Sequence, residues 1–443
     1  MQRVFRSSLL FLFLIFSGAT YGQTRVISKE EAIIKTLENN YGIRMFQNMV
    51  EIADNSQSIL NSGYLPSITG LAGTGYNIED INATLQGGEE RIVDGAKTNR
   101  YNASVNVNYT LFDGLGRWYN FKQLKEQYNL TKLEARETIE NTILQLLTVY
   151  FEVARLTENV EVLEETLETS RERITRAQYQ FEYGQANRLG VLNAEVDVNN
   201  DSILLLNTRQ QLANTKRDLN VILNEQEIPL ENFIVDTTVT FINKLALETY
   251  LNEAKFNNVS LLQAESAITI SDYAIKVSRS GYLPTVDLSG SYGWNTANLP
   301  ATSFVQSSTV LGYGAGVNLS WDLFDGGTTL TNVRNAKIRL ENEELLREQI
   351  LLEVNRDIAN ALGDYENKRI IYEVQEKNVL TNENNFERSE EQFKVGQITS
   401  IEFRQAQINL INARTSKNLA KYDAKLAELQ VLQLTGQLLN VEL

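Results

Sequence analysis

The chain has 443 residues, a formal net charge of -15, and neither cysteine nor histidine. Those absences exclude a disulfide framework, a thiolate nucleophile, an imidazole base and the usual zinc or haem ligands. The acidic balance argues against nucleic acid or an anionic lipid surface as a main partner.

Read from its start, MQRVFRSSLLFLFLIFSGATYGQ sets Arg3 and Arg6 before an apolar run from Leu9 to Phe16 and then small residues. This is the pattern of a secretory signal, residues 1–22, with cleavage expected after Gly22 and Ala19 as the alternative. Loss of both arginines takes the charge from -15 to about -17. No cysteine follows the signal, so no N-terminal lipid anchor is expected. Beyond it no run of about 18 apolar residues occurs, and no transmembrane helix is expected.

The rest of the chain is written twice. SGYLP at Ser62 returns at Ser280, LFDG at Leu111 returns at Leu323, and FEYGQ at Phe181 returns as FKVGQ at Phe393. The last two pairs share one offset, since 323 minus 111 and 393 minus 181 both give 212, while the first pair is offset by 218. Two copies of one unit are therefore fused, with a small length change in one loop. The repeats are expected over 23–223 and 245–436, joined by a linker at 224–244 and followed by a C-terminal end at 437–443. The linker, with Pro229 and the β-prone IVDTTVTF, is expected to form a small mixed α/β region.

Each copy starts with a helix, Thr24–Leu60 or Leu245–Arg279, stopped at SGYLP because proline lacks a donor and disfavours helix in the residue before it. Two strands follow in each copy, at 64–77 and 101–112 and again at 282–294 and 311–324. In YNASVNVNYTLF, Tyr101, Ala103, Val105, Val107 and Tyr109 alternate with Asn102, Ser104, Asn106 and Asn108, which is the period of a two-faced strand. Strands of about a dozen residues exceed the 9 to 11 that cross a bilayer when tilted. Tyr64, Tyr76, Tyr101, Tyr282, Trp294 and Trp321 stand near their ends, as in an aromatic girdle. Residues 78–100 and 295–310 read as polar, turn-rich loops. Four strands cannot close a barrel, and an open edge is not tolerated in hydrocarbon, so several chains must share one. Two chains would give a filled interior and three a wider lumen, and the Gly/Ser/Asn faces favour the latter.

After the strands come helical hairpins at 117–223 and 328–436. Arg117–Gln180 contains no glycine or proline and Thr328–Phe393 only Gly363, so each reads as one helix of about 65 residues with coiled-coil spacing. The spacing includes Ile143, Leu146, Tyr150 and Val153 in the first copy and Leu345, Leu352 and Ala359 in the second. The hairpins turn at Gly184 and Gly396, and Leu192, Val196, Ile203 and Leu206 mark the return helix.

A signal peptide, duplicated halves, GYLP opening one strand, LFDG closing the next, and a glycine turn at the tip of a very long helix together resemble the TolC family of outer-membrane efflux proteins. The resemblance spans essentially the whole mature chain. It implies a coiled-coil α-barrel joined to a transmembrane β-barrel, with a homotrimer whose four strands per chain make 12. It also implies an outer-membrane location with the helical barrel in the periplasm, and a passive exit duct of a tripartite efflux system. The partners it implies are a periplasmic adaptor and an inner-membrane transporter, with no catalysis and no cofactor or metal. The adaptor would dock at the tips, on Gly184, Gln185, Arg188, Gly396 and Gln397. Glu402 and Gln405 fall where family members carry acids ringing the periplasmic aperture; Gln405 departs from that pattern, and Glu402 alone can also be read as a solvated helix charge. The polar links that hold some members shut would fall near Gly190, Phe393 and Ile398, which offer no side-chain hydrogen bonds, so a closed state here would rest on packing. The alternatives are the exit duct of a type I protein secretion system and, from a different class, a periplasmic coiled-coil scaffold. An enzyme using paired carboxylates such as Glu164 and Glu165 has no pocket signature to support it.

Overall fold

The computed structural model describes residues 25–84, 86–225, 233–300, 303 and 305–441, so the expected signal segment 1–22 and Pro229 lie outside the described residues. In chain order the elements are β1 (Arg25–Ile27), α1 (Lys29–Asn39), α2 (Tyr41–Ser56), a 3₁₀ turn (Ile59–Asn61), β2 (Ser67–Thr84), β3 (Glu90–Asp113), α3 (Gly116–Glu182), α4 (Arg188–Leu223), β4 (Phe233–Val235), α5 (Lys244–Asn257), α6 (Val259–Ser280), β5 (Thr285–Asn298), β6 (Ser307–Ser320), α7 (Thr328–Lys394) and α8 (Ser400–Leu434). The duplication is visible in this order. The two longest helices, α3 and α7, are both 67 residues, about 100 Å each at 1.5 Å per residue. Pro66 and Pro284 stand immediately before the first residues of β2 and β5, so SGYLP marks the change from helix to strand in both copies.

Two compact units emerge: one of residues up to Asn48, Glu134–Leu262 and Gln349 onward, the other of Met49–Leu133 and Gln263–Glu348. The second holds a four-stranded antiparallel sheet ordered β2-β3-β5-β6. Here the residues expected to form a loop at 78–100 mostly pair instead, because the ladder runs on past Tyr76↔Asn99 to Thr84↔Glu90, with one bulge between Glu79 and Ile81. Backbone pairing outweighs the turn-prone composition of that stretch. At its other end β6 stops at Ser320, so Trp321 to Phe324 lie outside the strand that the sequence extends to 324. The LFDG aspartates open the helices in both copies, and Asp113 also ends β3: Asp113 accepts from the Arg117 amide at 2.8 Å and Asp325 from the Thr329 amide at 2.7 Å.

In the first unit the expected single helices over 24–60 and 245–279 are each broken, at Asn40 and Asn258. Both asparagines leave the helical region, with ψ 126° and 123°. Each then caps the following helix with its side-chain oxygen, Asn40 accepting from Gly42 at 2.9 Å and Asn258 from Leu261 at 3.1 Å. Each side-chain amide reaches the carbonyl end of another helix, Ile222 for Asn40 at 3.1 Å and Leu434 for Asn258 at 2.8 Å. Those two carbonyls are equivalent in the two copies, 434 minus 222 giving the repeat offset of 212.

Thr24 lies outside the described residues, and where the helix is expected to continue, Arg25–Ile27 form strand β1 instead, which pairs in parallel with β4 from the linker. The Tyr150 hydroxyl stitches the pair, donating to the Ile27 carbonyl at 2.8 Å and accepting from the Asp236 amide at 2.9 Å. Beyond β4 the linker carries no described helix before Lys244, but its backbone is held by buried side chains. Lys216 donates to the Phe233 carbonyl at 2.8 Å, Lys425 to the Thr240 carbonyl at 2.8 Å, and Glu428 accepts from the Ile242 amide at 3.0 Å. Around it lies the main core of this unit, with Leu146, Tyr150, Phe151, Phe233, Tyr422 and Leu429 fully buried.

Candidate functional site: a two-faced sheet and the hairpin tips

The strand register decides whether the sheet has two chemical faces. Reading across from β2 to β6, Ile68 is beside Val107, Val107 beside Gly290 and Gly290 beside Ala315; one step along, Val105 is beside Tyr292 and Tyr292 beside Tyr313. The next rung on that face brings Ala103, Trp294 and Leu311 together. On the opposite face Thr69, Asn106, Ser291 and Gly314 form one rung, and Gly73, Asn102, Asn295 and Val310 another. The alternation seen in separate strands is therefore in phase across the sheet, apolar on one side and mostly small or polar on the other, where Leu71 and Val310 are apolar exceptions. Apolar residues on the first face stay exposed, including Ile68, Val105, Tyr313 and Val317. Strands β2 and β6 are the sheet's outer strands.

Both hairpin tips end in the same turn. Gly184 and Gly396 take φ 71° and 79°, in the left-handed region that only glycine enters without strain. The Gln185 amide donates to the Gln180 carbonyl at 2.8 Å, and the Gln397 amide to the Gln392 carbonyl at 2.8 Å. With Gly184→Phe181 and Gly396→Phe393 these are Schellman closures. The return helices start at N-caps Asn187 and Thr399. Arg188, first in α4, is exposed. Glu402 belongs to a capping box: its carboxylate accepts from the Thr399 amide at 2.8 Å while the Thr399 hydroxyl accepts from the Glu402 amide at 3.2 Å. The bonds from the Thr399 backbone and side chain hold its pKa below the ordinary carboxylate value. The box is spelled T-x-x-E in the sequence, Thr399 to Glu402. Gln405 donates to Asn409 at 2.9 Å one turn on.

Phe393 and Phe403 stack face to face at 4.9 Å, and the Arg176 guanidinium lies 5.4 Å from the Phe393 ring, so α3, α7 and α8 meet beside the second tip. Deeper in the same bundle lies a buried polar cluster that the sequence reading missed. Arg404 of α8 grips Asp201 of α4 with two bonds, at 2.8 and 2.6 Å. Ser170 of α3 donates to Asp201 at 2.6 Å, and Arg173 pairs with Asp197. Arg173 is 4% exposed and Asp201 5%. Desolvation lowers the Arg173 pKa against the opposing pull of Asp197. Its signal in the sequence is the i, i+4 pair Asp197/Asp201 on a helix that also carries an apolar stripe. That stripe, Leu192, Val196, Ile203 and Leu206, is exposed within the chain, as are Leu345 and Leu352 of α7; α4 packs instead through Ala194, Asp201 and Leu205.

Among the described residues no helix is long and apolar enough to cross a membrane, and no group of three or more His, Cys, Asp or Glu side chains is placed to hold a metal ion. The family model described as outer membrane efflux protein matches residues 32–225 and 250–437. Outer membrane efflux protein BepC of Brucella suis is 22% identical over 407 residues, covering 92% of this chain and 85% of that protein. Outer membrane protein TolC of Vibrio cholerae is 24% identical over 383 residues, covering 85% and 83%. In fold, the Campylobacter jejuni CmeC outer membrane channel superposes with a TM-score of 0.75 at 17% identity, covering 95% of this chain and 91% of that one. The two-faced sheet, the duplicated long hairpins and these relatives lead to one conclusion: the chain belongs to the outer membrane efflux protein family, whose members are TolC-like channels of the outer membrane and not enzymes.

Proposed function

We propose that three copies of this chain close their sheets into one 12-stranded barrel and act as the passive exit duct of a tripartite efflux system, receiving cargo from an inner-membrane transporter through a periplasmic adaptor. The observation that carries the reading is the four-stranded sheet with in-phase faces and two outer strands. In hydrocarbon the unpaired backbone groups of β2 and β6 would each cost several kcal/mol. The strands alternate in direction, so β6 of one copy runs antiparallel to β2 of the next and the ladder can continue around a ring. Its apolar face then meets lipid and its Gly/Ser/Asn face lines water. The tip turns at Gly184, Gln185, Gly396 and Gln397, with Arg188, are the proposed adaptor contacts. Three Glu402 carboxylates, with Gln405 beside them, would favour cations at the aperture.

The sequence contains no cysteine, so engineered pairs report without background. Leu71→Cys combined in turn with Val310→Cys, Gly312→Cys and Gly314→Cys should give a disulfide ladder that stops at three chains, and the trimer should conduct ions in planar bilayers. A ladder stopping at two chains, or a protein without conductance, would overturn the proposal.

A further inference from the structure

The net charge of -15 hides a segregation along the two longest helices. The first part of α3, Gly116–Leu133, has four basic residues, Arg117, Lys122, Lys125 and Lys132, and one acid, Glu126; its remainder, 134–182, has five basic and eleven acidic residues. In α7, Thr328–Leu340 has Arg334, Lys337 and Arg339 and no acid; 341–348 then brings four acids and Arg347, and 349–394 has six basic and ten acidic residues. The basic positions coincide between copies, because Lys122 and Lys125 shifted by the repeat offset of 212 become Arg334 and Lys337. Both pairs lie in the unit that holds the sheet. They stand six and nine residues into helices that leave it, about 9 to 14 Å along the axis.

Side chains in this band are arranged for a boundary between hydrocarbon and water. Trp118, Lys122, Lys125 and Lys132 share one helix face, with Phe121 and Tyr128 alongside. The lysine nitrogens lie over the rings one turn back, Lys122 at 5.0 Å from Trp118, Lys125 at 4.7 Å from Phe121 and Lys132 at 5.0 Å from Tyr128. Trp118 remains 44% exposed. The one acid of the stretch is occupied elsewhere, Glu126 accepting from Ser266 of α6 at 2.7 Å. Among the described residues none of Lys122, Lys125, Lys132, Arg334, Lys337 or Arg339 forms an ion pair with a carboxylate. Amphipathic rings beside snorkelling lysines suit a headgroup layer; a water-filled wall has no use for the tryptophan.

We infer that this band, Lys122/Lys125 of α3 and Arg334/Lys337 of α7, is a docking surface for the phosphates of anionic phospholipid in the leaflet from which the helices leave the membrane. The inference rests on the outer-membrane placement of the sheet. Each cation near an anionic surface raises its binding about fivefold, so a duplicated pair gives a strong preference for anionic over zwitterionic lipid.

The test uses the full protein in neutral detergent, its thermal midpoint followed on adding phosphatidylglycerol, phosphatidylcholine or inorganic phosphate. Phosphatidylglycerol should raise the midpoint by several degrees and the other two should not. The variant K122Q/K125Q/R334Q/K337Q should lose most of that rise while melting as wild type does in phosphatidylcholine, and K122R/K125R/K337R should keep it. Native mass spectrometry should count fewer retained phosphatidylglycerol molecules on the glutamine variant, which holds as a readout even if that variant melts lower. An undiminished rise or lipid count in the glutamine variant, an equal rise with phosphatidylcholine, or a rise with inorganic phosphate alone would overturn the inference. Bilayer conductance of the wild type is recorded in parallel: its presence without lipid preference sinks only the lipid band, and its absence sinks the duct.

Discussion

Replacing Arg404 by Met tests the buried polar cluster most directly. Arg173, Arg404, Asp197 and Asp201 form a charge-neutral quartet: Arg404 lies 3.6 Å from Asp197 and makes two shorter bonds to Asp201. Removing one member of a buried pair costs about 3–5 kcal/mol, because the partner keeps its desolvation penalty, whereas replacing both members by apolar groups is often close to neutral. In Arg404→Met, Asp201 keeps only the Ser170 hydroxyl, at 2.6 Å. In Arg404→Met/Asp201→Leu the remaining Arg173–Asp197 pair is again neutral. A local loss of about 3–5 kcal/mol corresponds to roughly 10²- to 10⁴-fold faster amide exchange, at 1.4 kcal/mol per factor of ten, if exchange runs through local opening. Hydrogen-exchange mass spectrometry of the peptide covering Phe403–Ala413 should therefore show a large acceleration in either single variant and substantial recovery in the double, a coupling of at least about 2 kcal/mol. Equal acceleration in single and double variants, or none in any, would refute the reasoning.

Further outcomes follow from the same accounting. Gly436→Ala should lower the thermal midpoint markedly and cost about 2–5 kcal/mol, since Gly436 has φ 69° and an added Cβ would sit 2.2 Å from the Asn257 carbonyl oxygen. Asn258→Ala removes a helix cap and the bond to the Leu434 carbonyl, a loss of about 2–3 kcal/mol that chemical denaturation should register; no change would show the α5–α6 break to be independent of that side chain. Glu402→Ala should speed exchange in the first turn of α8. The Glu402 pKa is depressed in the folded chain, below the ordinary 4.5, so its contribution is complete above that value and disappears as pH falls through the folded pKa. Wild type and variant should therefore differ at neutral pH and converge in acid, and a difference that grew on acidification would contradict the capping-box role.

Much of the fold is legible because it is periodic. The alternation of Ala103, Val105 and Val107 with Asn102, Ser104 and Asn106 survives as two real faces, and the glycine-free run from Arg117 to Gln180 survives as one helix. Failures occur where a distant partner decides the local conformation. Nothing in helix propensity stops a helix at Asn40 or Asn258; their side chains break it by bonding to carbonyls of α4 and α8. A weak trace was present all the same, in the asparagine doublets 39–40 and 257–258, which share the 218 offset of SGYLP. The polar stretch 78–100 reads as loop because composition counts side chains, whereas the ladder that orders it is made of backbone. At the tips the glycines and the T-x-x-E box are local and readable, but the Arg404–Asp201 pair joins residues 203 apart and leaves no local signature.

The outer strands also constrain how copies can associate. A two-fold pairing of β2 with β2 would leave both β6 edges open, and a pairing of β6 with β6 would leave both β2 edges open. An antiparallel version of either would also invert one chain, sending its long helices to the opposite side of the membrane. Only a head-to-tail contact of β6 with the next β2 satisfies every edge with all chains pointing one way, and such a contact must close into a ring or grow without limit. The exposed stripe Leu192, Val196, Ile203 and Leu206 on α4 asks for a neighbour as well, and in a ring every copy has one on each side. In the proposed ring, assembly follows from the backbone chemistry of the sheet before any question of transport arises, and the passage for cargo would be the space that its mostly small, polar inner faces do not fill.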